Sequence, residues 1–248
     1  MTSLAALFLL VALIYASVGF GGGSTYTALL GLWGVDYTLI PIISLLCNII
    51  VVSGGVWRFA RAGLIDLKAV LALILVSAPL AFVGGMIPLK QWLFLLILGG
   101  ALLASCAALL AQSENLQPRN LPKTVLLGIS AAVGLLAGMS GIGGGIFMAP
   151  LLHMIHWAEA KRIAAFASLY ILINSIAGTA GQLVKNGTAA FVGVFDSYWP
   201  MMIAVCIGGQ IGGMLGMRLL SPRILRTITA LLVGYVAVRL IGQSLNFF

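Results

Sequence analysis

Two glycine-rich stretches are the residues of this sequence best suited to chemistry on a small ligand. They are Gly19–Gly23 (Gly-Phe-Gly-Gly-Gly) and Gly141–Gly145 (Gly-Ile-Gly-Gly-Gly). Glycine lets non-helical backbone bend tightly and lets a ligand approach the main chain. We predict a short helix after each loop, beginning near Ser24 and near Ile146. The first N–H groups of such a helix lack intrahelical acceptors and carry the positive end of the helix dipole, which suits an anion.

Polar side chains accompany both loops. Ser24 and Ser140 offer hydroxyl donors beside them, and Asn48 and Asn174 each lie near the centre of an apolar run. A buried amide in an apolar medium has to find its partners in protein or in trapped water. The candidate substrate-binding residues are therefore Gly21, Gly22, Gly23, Ser24, Asn48, Ser140, Gly143, Gly144, Gly145 and Asn174.

The same residues have plainer interpretations, which the sequence leaves open. The glycines have the GxxxG spacing that packs helices closely, and each asparagine could form only an interhelical hydrogen bond. His153 and His156, spaced i, i+3, suit proton coupling or a metal, or simply an interfacial position near Lys161.

Enzymatic and cofactor chemistry have little support. The sequence holds no Ser/His/Asp set, no HExxH and no phosphate-binding loop, and its glycine loops do not follow a strand as a dinucleotide site requires. Cys47, Cys106 and Cys206 stand singly in apolar runs, without metal-ligand spacing. We therefore expect a protein that is not an enzyme and that needs neither a cofactor nor a metal.

Composition indicates that these groups lie in a membrane. Hydrophobic residues make up 62% of the 248 residues and charged residues only 7%, against about 25% charged residues in soluble chains. Lipid must cover such a chain, and backbone in lipid satisfies its own hydrogen bonds as helices. We predict an all-α polytopic membrane protein with a single membrane domain, 1–248. The net charge of +8 is then a topology signal and does not indicate nucleic-acid binding.

Ten apolar runs are separated at the middle by a polar linker, 112–123. Two of them, 25–35 and 146–157, would span only about 16–18 Å of the roughly 30 Å of hydrocarbon. The ten runs are 4–18, 25–35, 37–57, 69–89, 91–111, 124–139, 146–157, 163–184, 198–217 and 224–242.

The two halves repeat each other. Besides the glycine loops, Asn48 matches Asn174, and Gly84-Gly85-Met86 matches Gly212-Gly213-Met214 in the same order. Shared order over several landmarks indicates an internal duplication, with repeat one at 1–111 and repeat two at 124–248.

Basic residues decide the orientation of the repeats. If the short runs do not count, the chain crosses eight times and Lys plus Arg divide 7 to 6. If each short run returns the chain to the side it came from, the division is 10 to 3, with only Lys90, Lys185 and Arg239 on the poorer side. The positive-inside rule favours the second layout. It predicts two inverted-topology repeats of about five transmembrane segments each, with short broken helices after the glycine-rich loops and both termini periplasmic.

The second loop and the residues after it, Gly141–Leu152 (GIGGGIFMAPLL), resemble the signature of the sulfite exporter TauE/SafE family, also called the 4-toluene sulfonate uptake permease family. The first half carries a weaker copy, Gly19–Ser24, without the following proline. The resemblance extends over essentially the whole chain. It implies a multi-pass transporter of the bacterial inner membrane for sulfur-containing anions such as sulfite, sulfoacetate or other organosulfonates.

The expected function is secondary transport by alternating access, with the anion held between the two loops. The alternatives are transport of another small anion, such as a carboxylate, and a membrane scaffold subunit that transports nothing. The expected partners are the anion and the lipid bilayer, and self-association into a homo-oligomer is left open.

The topology can be tested with Pro118→Cys in a variant whose three native cysteines are replaced. Because the basic residues place the linker in the cytoplasm, we expect labelling by a membrane-impermeant thiol reagent in inverted vesicles and none in intact cells. A cysteine that reacts only from the periplasm would contradict the five-plus-five layout.

Overall fold

The computed structural model describes residues 2–111, 121–155, 157–216 and 222–245. Within them all regular secondary structure is helical, which confirms the all-α prediction. The helices are α1 (Thr2–Ser17), α2 (Gly23–Leu32), α3 (Ile40–Arg61), α4 (Leu67–Met86), α5 (Gln91–Ala111), α6 (Lys123–Ser140), α7 (Gly145–Met154), α8 (Ala160–Leu215) and α9 (Pro222–Leu245).

The 56-residue α8 is a hairpin of two helices. A straight helix of that length would measure about 84 Å, far more than a bilayer. Gly187 interrupts it with a non-helical backbone, φ 73° and ψ 172°. Ser168 before this break and Gln210 after it lie against neighbouring positions of α3, Gly55 and Gly54. The chain therefore reverses at Gly187 and continues as 188–215.

Several helices suit a membrane by length and composition. Three stretches are long and apolar enough to cross one, namely Ile40–Arg61, Lys123–Ser140 and Lys161–Leu215, and shorter apolar helices cover Thr2–Ser17, Val70–Met86 and Gln91–Ala104. Large apolar side chains also point outward, as Leu75 (62% exposed) and Met214 (77%) show. Apolar surface on this scale needs a cover, and lipid supplies it.

The two short helices begin with the same turn. Gly22 before α2 has φ 94°, and Gly144 before α7 has φ 81°. These left-handed conformations favour glycine. The N–H groups of Thr25 and Tyr26 donate to the Gly22 carbonyl, just as those of Phe147 and Met148 donate to the Gly144 carbonyl. Each helix has ten residues, about 15 Å.

Each short helix is packed within its own apolar cluster. Around α2, the buried ring of Tyr26 stacks on Phe8 of α1 at 4.6 Å between centroids. Around α7, Phe166 and Tyr170 of α8 stack at 5.4 Å. Protein therefore surrounds the non-helical loops, and this is the condition for such backbone to exist at membrane depth.

Equivalent glycines hold the halves together. A methyl group at Gly84 would overlap the carbonyl oxygen of Leu135 on α6, and one at Gly212 would overlap that of Leu13 on α1. Leu135 and Leu13 stand at the same distance before their respective glycine loops. Helix α4 thus packs on α6 as 188–215 packs on α1.

One end of the molecule gathers basic residues and is called the basic end below. The close approach of Phe59 and Ala164 to Gly19 brings the end of α3 beside the start of α8. Arg58, Arg61, Lys161 and Arg162 lie at these helix ends. Lys185 lies at the far end of 160–186, beside the Gly187 reversal.

The glycine contacts can be tested by thermal unfolding in detergent. Gly84→Ala and Gly212→Ala should each lower the free energy of unfolding by about 1–3 kcal/mol, because the added methyl group separates packed backbones. Gly128→Ala is the matched control, since nothing lies within 4 Å of its added carbon. Equal melting temperatures in all three variants would contradict this packing.

Candidate functional site

Asn48 lies where the two glycine loops meet. Its side chain is fully buried, and its Nδ2 lies 3.4 Å from the carbonyl oxygens of both Gly141 and Ile142. On the other side it packs on Gly21 and Gly23, where a β-carbon would collide with the amide. One amide from the first half therefore fills the space between the loops of both halves.

Ser44 supports the same junction from one turn earlier on α3. Its hydroxyl donates to the Gly141 carbonyl at 2.8 Å and lies 3.1 Å from the Gly23 carbonyl. The sequence interpretation missed this residue. The signal was its i−4 spacing from Asn48, which puts both side chains on one face of the helix.

The second half contacts both loops through 160–186. The Ser168 hydroxyl donates to the Gly19 carbonyl at 2.6 Å. A β-carbon at Gly143 would lie 2.8 Å from Asn48 Nδ2 and 3.1 Å from Ser175 Oγ. Each half thus supplies side-chain hydrogen bonds to the loop of the other half.

Several buried polar atoms, some of them at this junction, have no hydrogen-bond partner. Buried polar groups are normally paired, and an unpaired one costs about 1–3 kcal/mol. Among the described residues these atoms are Tyr26 Oη, Asn48 Oδ1, Arg58 Nη2, Asn174 Oδ1, Ser175 Oγ and Thr179 Oγ1. The three hydroxyls can donate or accept, whereas the two amide oxygens only accept.

The structure brings four of the predicted site residues into contact. Gly21, Gly23 and Gly143 all pack against Asn48. Gly145 packs instead on Ile171.

The remaining glycines form the turns. Gly22 lies against Tyr26 and Val11, while Gly144 lies against Val133 and Tyr170.

The other predicted polar residues use part of their capacity within their own helices. The Ser140 hydroxyl donates to the Leu136 carbonyl at 2.6 Å, and Asn174 Nδ2 donates to the Tyr170 carbonyl at 2.9 Å. Ser24 is buried in the first turn of α2. Asn174 is therefore not the geometric counterpart of Asn48, because its amide nitrogen does not bind a loop.

The sequence interpretation also named two histidines and a polar linker. His153 lies in α7, while His156 and linker residues 112–120 lie outside the described residues.

Arg58, which the sequence interpretation treats only as a topology signal, belongs to α3, and its Nη1 donates to Gln210 Oε1 at 3.0 Å. The available signal was its position directly after the apolar run 37–57.

A cavity of about 220 Å³ opens at the basic end. Its wall includes Phe166, which stacks on Tyr170, and Tyr170 in turn contacts Gly144 of the second loop. Two packed aromatic rings therefore lie between this cavity and the second loop. Its lining residues are Leu64, Asp66, Val70, Trp157, Ala158, Arg162 and Phe166.

Comparison with known proteins agrees with this architecture. The family model described as "Sulfite exporter TauE/SafE" matches residues 4–240. A "Probable membrane transporter protein y4hK" of Sinorhizobium fredii is 30% identical over 245 residues, covering 96% of this chain and 97% of that protein. A "Probable membrane transporter protein MamO" of Magnetospirillum gryphiswaldense is 27% identical over 131 residues, half of this chain and 20% of that protein. No solved structure matches the chain.

The family match extends over nearly the whole chain and includes both glycine loops, α2, α7 and Asn48. It confirms the resemblance first seen in Gly141–Leu152. The chain belongs to the sulfite exporter TauE/SafE family of membrane transporters.

Proposed function

We propose that this protein carries small sulfur oxyanions, sulfite or an organosulfonate such as sulfoacetate, across the bacterial inner membrane by alternating access. The observation that supports this most directly is the buried Asn48 amide between two glycine loops, with an unpaired Oδ1. A group that only packed helices would gain nothing from an unpaired polar atom at that depth.

Neutral donors would hold the anion. The first N–H groups of α2 and α7 lack intrahelical acceptors and begin at the loops, where the dipole of each helix is positive. The hydroxyls of Tyr26 and Ser175 lie beside Gly22 and Gly143. Each neutral hydrogen bond contributes on the order of 1 kcal/mol net, so the dissociation constant falls in the micromolar to millimolar range. Such weak binding suits a carrier that has to release its cargo.

The unpaired acceptors favour a substrate that also brings a proton. Asn48 Oδ1 and Asn174 Oδ1 can accept a hydrogen bond but cannot donate one. Hydrogen sulfite offers both anionic oxygens and a proton. A sulfonate has no acidic proton at neutral pH and would need a water molecule between its oxygens and these amides.

Transport would exchange two states of the inverted repeats. The reciprocal contacts of Gly84 with Leu135 and of Gly212 with Leu13 support a relation between the halves. Asn48 and Ser175 are fully buried, so both faces of this conformation are closed. Helices must move before an anion can enter. The basic end would face the cytoplasm and both termini the periplasm.

A small carboxylate would find the same donors, and this is the second candidate substrate. A pure scaffold role has one observation in its favour, the close backbone contacts at Gly138 and Gly181. Those contacts lie at helix crossings away from Asn48, however, and do not explain its unpaired oxygen.

The role of Asn48 can be tested in proteoliposomes that carry sulfite or sulfoacetate. Asn48→Leu should raise KM at least tenfold, about 1.4 kcal/mol, because it removes the polar group that contacts both loops. Asn174→Leu should have a smaller effect on KM, because Asn174 Nδ2 already donates to the Tyr170 carbonyl of its own helix.

Asn186→Leu is the matched control, since Asn186 Nδ2 bonds Gln182 and the residue stands beside the Gly187 reversal. A KM unchanged by Asn48→Leu in monodisperse protein would move Asn48 to a structural role.

The protonation state of the substrate gives an independent prediction. At fixed total sulfite, with equal pH on both sides, flux should rise as pH falls and hydrogen sulfite replaces the dianion. Sulfoacetate flux should change much less over the same range. A sulfite flux that rises with pH would contradict the match between the amide oxygens and a protonated anion.

A further inference from the structure

Arg58 is a charged group that the proposed loop site does not use. It stands three residues before the end of α3, and its side chain lies between α3 and 188–215. Nη1 donates to Gln210 Oε1 at 3.0 Å, while Nη2 is buried and has no partner. A guanidinium keeps its charge in proteins, so this is a permanent positive charge with a spare donor.

Two glycines make room for this pair. The guanidinium of Arg58 lies against Gly213, and the amide of Gln210 lies against Gly54. A β-carbon at either glycine would collide with the opposing polar group. The crossing is therefore built so that two polar side chains interlock between the helices.

The equivalent crossing in the other half holds no such pair. Gly85, which matches Gly213, lies against the carbonyl of Gly178 and the N–H of Gln182. Gly181 lies against the carbonyl of Phe82. The atoms nearest to these two glycines are backbone atoms, and the polar side chain nearby, Gln182, donates to the Gly138 carbonyl on α6. Close packing at such a crossing therefore does not by itself require a charged side chain.

The hydrogen bond of Arg58 Nη1 goes to a neutral group, the Gln210 Oε1 atom, and Nη2 stays buried without a partner. A partly buried cation with an unpaired donor is costly, and an oxyanion would relieve that cost.

Arg58 lies on the same helix as Asn48, at the basic end. It follows Asn48 by ten residues, about 15 Å along α3. Between them, Gly55 contacts Ser168, whose hydroxyl bonds Gly19 of the first loop. An anion that left the loops along this side of α3 would reach the guanidinium.

We propose that Arg58, positioned by Gln210, is a second oxyanion-binding site on the substrate path at the basic end. The proposal rests on the transport function above. When 188–215 moves away from α3, Nη2 and Nη1 bind two oxygens of sulfite or of a sulfonate group in the fork geometry of a guanidinium. The anion then replaces the Gln210 contact that the movement breaks.

The test is the half-saturating sulfite concentration, measured separately at each face of oriented proteoliposomes. Arg58→Gln should raise it at the basic end by about tenfold or more, as expected for loss of hydrogen bonds to a charged group. The opposite face should change less than about twofold. Gln210→Leu should shift the same face in the same direction by a smaller factor.

Arg61→Gln is the matched control. Arg61 is one turn further on, is exposed, and lies 4.2 Å from the ring centre of Trp57. The Arg61→Gln variant loses the same charge from the same end of the molecule. Its half-saturating sulfite concentration should stay near the wild-type value at both faces. Equal shifts in Arg61→Gln and Arg58→Gln would overturn the site in favour of general surface charge.

Other outcomes separate the two proposals. If wild-type flux is normal and Asn48→Leu impairs it, but Arg58→Gln changes neither face, the Arg58 site is overturned and the transport function stands. If the wild type carries neither sulfite nor sulfoacetate, the proposed function fails and this site fails with it. Should Arg58→Gln not be monodisperse, Arg58→Lys serves instead, because it keeps the charge and loses the fork. An unchanged half-saturation in that variant would overturn the site.

Discussion

Non-helical backbone in an apolar interior must be hydrogen-bonded without water, and the rest of this structure depends on that constraint. Four buried carbonyls of the glycine loops accept hydrogen bonds from side chains, namely those of Gly19, Gly23, Gly141 and Ile142. Side chains of Ser44, Asn48 and Ser168 reach them. Most of these bonds cross from one half of the chain to the other. Neither half can therefore satisfy its own loop alone, which explains why the two halves of the chain form a single folded unit.

These hydrogen bonds differ in length. Ser168 to Gly19, at 2.6 Å, is short, whereas both Asn48 contacts, at 3.4 Å, are longer than the usual 2.9–3.0 Å for an amide donor. Long bonds contribute little and are readily exchanged. The junction therefore has short hydrogen bonds from the hydroxyls of Ser44 and Ser168 and long ones from the Asn48 amide.

Sequence patterns predicted the helical class, the short helices and the loop turns, because hydropathy and glycine spacing act locally. They also placed Asn48 near the centre of its apolar run. They could not show that Ser44 and Ser168 serve the opposite half, because helical spacing gives the face of a residue and not its neighbour. Asn174 illustrates the limit of repeat symmetry: it matches Asn48 in sequence, but its amide turns back to Tyr170. Whether an asparagine bonds its own helix depends on the packing around it.

The two halves of the chain share the same loop turn, but a carrier in a cell works between unlike compartments. The two halves differ at their helix crossings more than in their loops. Gly85 and Gly181 meet backbone directly, while Gly54 and Gly213 hold Gln210 and Arg58 between the helices. Separating two helices whose backbones touch directly would expose peptide groups along the whole contact. Parting the polar crossing exposes a guanidinium and an amide that water or an anion can solvate at once. The free energy of separating these helices should therefore be lower at the basic end than at the crossing of α4 with 160–186.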